Sequence, residues 1–271
     1  MRSGSNSETT YRVRSHTQPF LVSRNPANPT FFQQCPAVPV LPATRLQLDL
    51  LLAQPGLNLQ AIVGVILSDV GASLQVMRAL SRGGSCIPLR GGRIDDCVIH
   101  LGRKGLRSAI SSTLLMTAGP GKEAVQQLWT RAKLTAELAK IMAARVPQLS
   151  PSDAYLAGLL HEVARIPALL GWKSDEFDVY DTAAVGRAMA SEWGLPAFVG
   201  PTLLLSSGSL QPVSRLHRVV ALAWEMSNAF RSGRTLPRQA FPPSAVGDST
   251  APVRTVQIRP SLPALRPVRI Q

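Results

Sequence analysis

The segment AGLLHEVARI, residues 157–166, sets His161 beside Glu162 inside an otherwise apolar run. An imidazole next to a carboxylate offers two ligand types that hold a metal ion, and a bound metal can activate a water for phosphoester hydrolysis. A catalytic metal site wants about three or more protein ligands plus an open position. His161 and Glu162 supply two from one helical turn, so the chemistry depends on what the rest of the chain brings to them.

A second set of candidates is basic. In RGGR (90–93), Arg90 and Arg93 flank two glycines whose backbone N–H groups could cradle a phosphate. The glycines lack P-loop spacing, so a flexible connection between helices is the plainer reading. GRKGLR (102–107) adds Arg103, Lys104 and Arg107, which form a solvated helix face unless they join Arg90 and Arg93 in space as an anion patch. Phosphorylated partners, nucleotides and nucleic acid would all fit such a patch. Aromatic residues, at 5%, are too scattered for base-stacking platforms, and Trp129, Trp172, Trp193 and Trp224 read as core. Serine hydrolysis has no support, because no G-x-S-x-G elbow occurs.

The elements that position these residues follow from composition and periodicity. In 271 residues, 45% hydrophobic, there is ample apolar content for a real core. Cys35, Cys86 and Cys97 match neither a disulfide framework nor a zinc finger, so they read as structural thiols in a reducing interior. No leader-like apolar run opens the chain and no stretch of about 18 apolar residues follows, which implies a soluble, cytoplasmic protein without membrane contact. The net charge of +13 divides into +3 for residues 1–35, +5 for 36–232 and +5 for 233–271, so the centre is only mildly basic. Seven prolines interleaved with arginines make 233–271 a disordered or polyproline-like tail, and 1–35 is expected to be disordered too. RPSLPALRP in that tail is either a ligand for a proline-reading domain or a solvated linker, the latter favoured because such motifs are compositionally cheap.

Between the ends the periodicity is helical. Pro42 opens a run with Leu46, Leu48, Leu50, Leu51 and Leu52 in an apolar stripe, stopped by Pro55-Gly56. Asn58 caps a helix over 59–67, and further helices are expected over 72–81, from near Cys97, over 102–118 and over 122–146. Ser150-Pro151 starts the helix that holds His161 in its middle. Helices over 181–193, 196–205 and 213–230 complete an all-α chain with no sustained period-2 alternation. In the His161 helix, Leu156, Leu159, Leu160 and Val163 form one face, with Ala154, Ala157 and Gly158 opposite, beside His161. A helix with bulky residues on one side and small ones on the other can be packed on both, which buries His161 in a tight helix contact.

Several separated motifs, in order, resemble the HDOD domain, a regulatory all-α relative of the HD metal-dependent phosphohydrolases. VPVLPATRLQLDLLL (38–52) is similar to the family's opening Leu-Pro helix, and VIHLGRKGLRSAI (98–110) to its "A-I-x-x-L-G-x-x-x-L-R" segment. AYLAGLLHEVARI (154–166) resembles "A-F-L-A-G-L-L-H-D-I-G", and AAVGRAMASEWGLP (183–196) resembles "A-E-V-G-A-W-L-L-x-x-W-G-L-P". The likeness covers about 38–230 and fades at SDVGASLQVMRALSR (68–82). It implies one domain over 36–232, made of two helical lobes joined near Lys122.

Carried over by position, the resemblance implies a degenerate metal site. The first-helix histidine falls at Arg131, the His-Asp pair survives as His161 and Glu162, a later histidine position holds Thr182, and the last aspartate falls at Trp224. His16, His100 and His217 lie where they cannot replace the lost ligands without a different fold. Arginine is always protonated and would repel a cation, so no metal, no other cofactor and no catalysis are expected. Two arrangements of the surviving pair stay open. Either Arg131 takes the cation's place against Glu162, or Glu162 pairs with Arg165 at i+3 and Arg131 is solvated. The reading is a non-enzymatic signalling module acting on partners supplied in trans, in bacterial signal transduction. A residual HD phosphohydrolase and a nucleic-acid or anion binder using 90–107 and the tail are the rivals.

Overall fold

Proline and glycine placement fixes most helix boundaries in the computed structural model, which describes residues 38–82, 93–111, 121–172, 181–203 and 214–233. Pro42 at the first turn opens α1 (Pro42–Ala53), since its fixed φ suits a helix start and its missing N–H would have no partner there. Asn58 accepts from the Ala61 N–H and caps α2 (Leu59–Leu67), and α3 (Val70–Arg82) follows after a two-residue break. α4 (Ile94–Ser111) is kinked at Gly102, whose φ of 56° and ψ of −175° lie outside helical space. The two helices expected to meet at Gly102 do meet there, across this kink, and the expected extension past Ser111 falls outside the described residues.

α5 (Lys122–Ala143) starts after Gly121, which has φ 84° and sits so close to the Leu169 carbonyl that a Cβ would lie 2.3 Å from it. α6 (Pro151–Leu160) is capped by Ser150, whose hydroxyl accepts from the Asp153 N–H. A 3-10 turn (Val163–Arg165) and short α7 (Ile166–Leu169) follow. α8 (Thr182–Glu192) is capped by Asp181, short α9 spans Gly200–Leu203, and α10 (Arg215–Ser232) runs from a Ser214 cap to a left-handed Gly233. Among the described residues there is no extended strand, and the class is all-α. The expected disordered segments, 1–35 and the tail beyond Gly233, lie outside the described residues, as do Cys35, Cys86, Arg90 and the RPSLPALRP motif.

One hydrophobic core runs from Val38 to Leu203, through Leu48, Ile62, Leu74, Leu106, Leu128, Leu159 and Trp193, and a second cluster joins α5, α6 and α10 through Ala139, Ala157 and Val220. The apolar stripe of α1 is narrower than its composition suggests. Leu48 and Leu52 are buried, whereas Leu46 and Leu50 are 61% and 60% exposed, because one helix face meets the core and these two leucines sit off it.

Reciprocal arginines tie α1 to the second half of α4. Arg107 donates to the Leu52 carbonyl at 3.0 Å and Arg103 to the Pro55 carbonyl at 2.9 Å, while Arg45 donates to the Ile110 carbonyl. Each guanidinium meets carbonyls near the end of the neighbouring helix that have no intrahelical partner and carry the negative end of its dipole. The basic segment GRKGLR therefore has a structural use for two of its three cations.

Asp69, between α2 and α3, is fully buried and fully satisfied. It accepts from the Leu41 N–H at 2.8 Å, the Gly71 N–H at 2.8 Å, the Ala72 N–H at 3.1 Å and the Trp129 indole N–H at 2.9 Å. One carboxylate thus caps α3, pins the entering segment and reaches across to α5. Gly71 is required beside it, since a Cβ there would lie 2.1 Å from the Pro39 carbonyl oxygen.

Candidate functional site

His161 ends a helix. The expectation that it sits in mid-helix is corrected: α6 stops at Leu160, His161 is its C-cap residue, and Glu162 has φ −107° and ψ 7°. The reason is Pro167, which has no N–H for the Val163 carbonyl and whose ring crowds it, so the chain tightens into the 3-10 turn before restarting as α7.

The approach of α6 to α5 is set by Gly158. A Cβ on it would lie 2.9 Å from the Ala136 Cα and 3.2 Å from the Thr135 carbonyl oxygen, so only glycine permits this packing. Ala154 through Glu162 are all buried, as the two-sided pattern of small and bulky residues predicts. His161 is 0% and Glu162 1% exposed.

Glu162 is held by two arginines at once. Arg131 of α5 donates from Nε to one carboxylate oxygen and from its terminal nitrogen to the other at 2.7 Å, and Arg165 donates to that second oxygen at 2.8 Å. Both arrangements left open by the sequence therefore coexist, and the solvated alternative for Arg131 does not hold, its side chain being only 18% exposed. The bidentate fork fixes the carboxylate plane as well as its charge.

His161 is held as a neutral ring. Its Nδ1 lies 2.7 Å from the Gly158 carbonyl, which can only accept, so Nδ1 carries the proton and Nε2 a lone pair. Burial pushes its pKa below the ordinary histidine value, against the opposing pull of Glu162. Nε2 lies 3.7 Å from the nearer Glu162 oxygen, an acceptor facing an acceptor, and has no hydrogen-bond partner.

Of the other predicted positions, Trp224 of α10 meets the His161 ring edge-on with centroids 6.4 Å apart, and its indole N–H is likewise buried without a partner. Thr182 is the first residue of α8, the helix that packs on the 3-10 turn, with Gly186 against Ala164. Among the described residues no hydrogen bond joins Thr182 to His161 or Glu162. Arg131, His161, Glu162 and Trp224 are thus brought together from three helices, and Thr182 stands at the edge.

The donor set does not fit a metal centre. One neutral imidazole nitrogen is open, the adjacent carboxylate is occupied on both oxygens, and a permanent cation sits against it. Among the described residues no three His, Cys, Asp or Glu side chains come together as a ligand group.

The family model of the HDOD domain matches residues 38–177. The chain belongs to the HDOD domain family. That family is related to the HD phosphohydrolases. The HDOD match ends before the AAVGRAMASEWGLP motif, although α8 and Trp193 of that motif pack into the same core. An uncharacterized protein of Treponema pallidum (strain Nichols) is 27% identical over 187 residues, which are 59% of this chain and 35% of that protein. The chain thus spans about a third of the length of the curated relative it matches.

The structure of the MmoQ response regulator from Methylococcus capsulatus str. Bath superposes with a TM-score of 0.58 at 17% identity, covering 76% of this chain and 91% of that one. A fragment of the same regulator gives 0.56 at 18% identity, covering 74% and 88%. At that identity the likeness establishes the fold.

Of the basic candidates, Arg93 pairs with Asp95 at 3.6 Å, Arg107 binds the Leu52 carbonyl of α1, Arg103 binds the Pro55 carbonyl just past it, Lys104 is exposed and Arg90 is outside the described residues. They form no single cluster among the described residues. Cys97 is buried, and burial raises its thiol pKa to about 12, which suits a structural thiol. No single described helix is long and apolar enough to cross a membrane. The residue that sequence reasoning missed is Asp69. Its signal was present as an aspartate two residues before a glycine at a helix start, a capping pattern in the stretch where the family likeness is weakest.

Proposed function

We propose that this HDOD chain is a non-enzymatic regulatory module in signal transduction, working through protein contacts with partners supplied in trans. On this reading Arg131, His161, Glu162, Thr182 and Trp224 occupy the positions of a former metal centre. The observation that carries it is the saturation of Glu162 by Arg131 and Arg165. A guanidinium cannot ligate, cannot lose its proton and occupies the place where a cation would neutralise the carboxylate. What a metal would do by bridging helices, the fork between α5 and the end of α6 does by charge and geometry. Fold likeness to a response regulator is compatible with the signalling role.

The test is metal content and phosphodiesterase and nucleotide-hydrolysis activity of protein purified with added manganese and iron, beside His161→Ala and Glu162→Ala. The expected result is no stoichiometric metal, no activity above the variants, and lowered stability of both variants. One metal per chain with activity abolished by both substitutions would overturn the reading.

A further inference from the structure

Among the described residues seven large hydrophobic side chains are exposed, and four of them, Leu46, Leu50, Leu57 and Leu59, lie in α1 and the turn that leads into α2. Exposed leucines scattered singly need no explanation, whereas a group of them on one surface marks an interaction site. α1 has two apolar faces. Leu48 and Leu52 turn inward to the core, and Ala43, Leu46, Leu50 and Ala53 are all exposed on the opposite side.

The outward residues follow one another at intervals of 3, 4 and 3, the spacing of a seam between paired helices. About Leu48 that seam reads the same in both directions: small, large, large, small. A second α1 laid antiparallel against the first sets Leu46 against the partner's Leu50 and Ala43 against the partner's Ala53. Leucines then fill the middle of the contact, and alanines let the two helices approach at its ends. A two-fold contact requires this kind of pattern, since each patch has to be its own complement.

Charge on the same face is self-complementary too. The chain carries a net charge of +13, so two copies repel unless they meet on a locally neutral surface. From Leu41 to Gly64 the only charged residues are Arg45 and Asp49, which pair with each other at 3.0 Å on one flank of the seam. In the antiparallel pair that flank reads Arg45, the partner's Asp49, Asp49, the partner's Arg45, with each arginine about 3 Å along the axis from the opposite aspartate. Each carboxylate thus lies between two guanidinium groups. The other flank carries the uncharged Gln47 and Gln54.

We propose that α1 is a homodimerisation helix, two copies of this chain pairing antiparallel through Leu46 and Leu50 about a two-fold axis beside Leu48. The inference goes beyond the regulatory reading above and does not rest on it. A helix of 12 residues is about 18 Å long, so the contact is at the small end of specific interfaces and a reversible dimer of micromolar affinity is expected. A lipid surface also takes up apolar helix faces, but it favours a stripe flanked by several lysines or arginines, and α1 offers only Arg45, already paired with Asp49.

The test is sedimentation velocity of the full chain from about 1 to 200 µM, beside Leu46→Glu, Leu50→Lys and an equimolar mixture of the two variants. Both positions are exposed in the protomer, so each variant is expected to keep the parent's helical circular dichroism. The parent should dimerise with a Kd below about 100 µM, and each variant alone at least ten-fold more weakly, because a charge is set against a leucine. The mixture should recover to within about three-fold of the parent, since the introduced carboxylate and ammonium meet across the axis while the remaining leucines meet each other. A parent that stays monomeric, variants that dimerise like the parent, or a mixture no better than its components would each overturn the proposal. A monomeric parent that floats with vesicles of anionic phospholipid, where both variants do not, would overturn it in favour of a membrane.

Discussion

Arg131 and Glu162, 31 residues apart, meet in a bidentate fork that joins α5 to the end of α6 across a helix contact closed by Gly158. Glu162 is 1% exposed, so its charge was taken out of water on folding and has to be met inside the protein. Arg165, from the same turn as Glu162, supplies a second donor but is 41% exposed and adds less.

The asymmetry of buried ion pairs gives the first prediction. Arg131→Ala leaves a buried carboxylate with only its exposed neighbour and is expected to lower stability by about 3–5 kcal/mol, whereas joint replacement, Arg131→Met with Glu162→Leu, should cost far less. Urea unfolding of the three proteins measures this. A double variant as unstable as the single one would mean that the fork is worth more than the charges it neutralises.

The second prediction concerns acid. The folded His161 ring, buried against Arg131, Arg165 and Glu162, resists protonation, while the unfolded ring takes up a proton near its ordinary pKa of about 6.5. The unfolded state therefore binds more protons below that pH. Stability is fully present above about pH 6.5 and falls as pH drops, by up to about 1.4 kcal/mol per pH unit for each such ring, until the folded pKa is passed. His217 is shifted the same way by burial and contributes in the same window. Melting temperatures between pH 5 and 8 should show the loss, and His161→Gln should reduce its slope; an unchanged slope would assign the effect to other groups.

How much of this was legible in the sequence depends on range. Caps at Asn58 and Ser150, the helix start at 181 and the stop after Ala53 are local signals carried by a few adjacent residues, and they were read to within a residue or two. The position of His161 at a helix end was not, because an apolar run continues through Ile166 and hides the effect of Pro167 one turn on. The fork was readable only as one of two arrangements, since spacing along the chain shows the Arg165 contact at i+3 and says nothing of a partner 31 residues away.

Asp69 gives the third prediction. Asp69→Ala would leave the N–H groups of Leu41, Gly71 and Ala72 and the Trp129 indole N–H without their acceptor. At about 1–3 kcal/mol for each unsatisfied buried group, partly relieved by water, the loss should exceed about 3 kcal/mol. Asp69→Asn keeps one accepting oxygen and should cost less. Equilibrium unfolding orders the two, and Trp129 fluorescence reports whether the indole has lost its partner.

Gly158 gives the last. It has ordinary helical backbone, so helix propensity alone would make Gly158→Ala stabilising by up to about 1 kcal/mol. Packing opposes this: the new methyl would stand 2.9 Å from the Ala136 Cα and 3.1 Å from its nitrogen, both backbone atoms that cannot turn aside. Overpacking of this kind costs about 1–3 kcal/mol, so the net effect should be destabilising, and Gly158→Val should be worse. Because α6 carries His161 and Glu162 at its end, pushing it off α5 also lengthens the fork from Arg131. A double-mutant cycle with Arg131→Ala is expected to show coupling of at least about 0.5 kcal/mol. Strict additivity would mean that the helix contact and the ion pair are set independently.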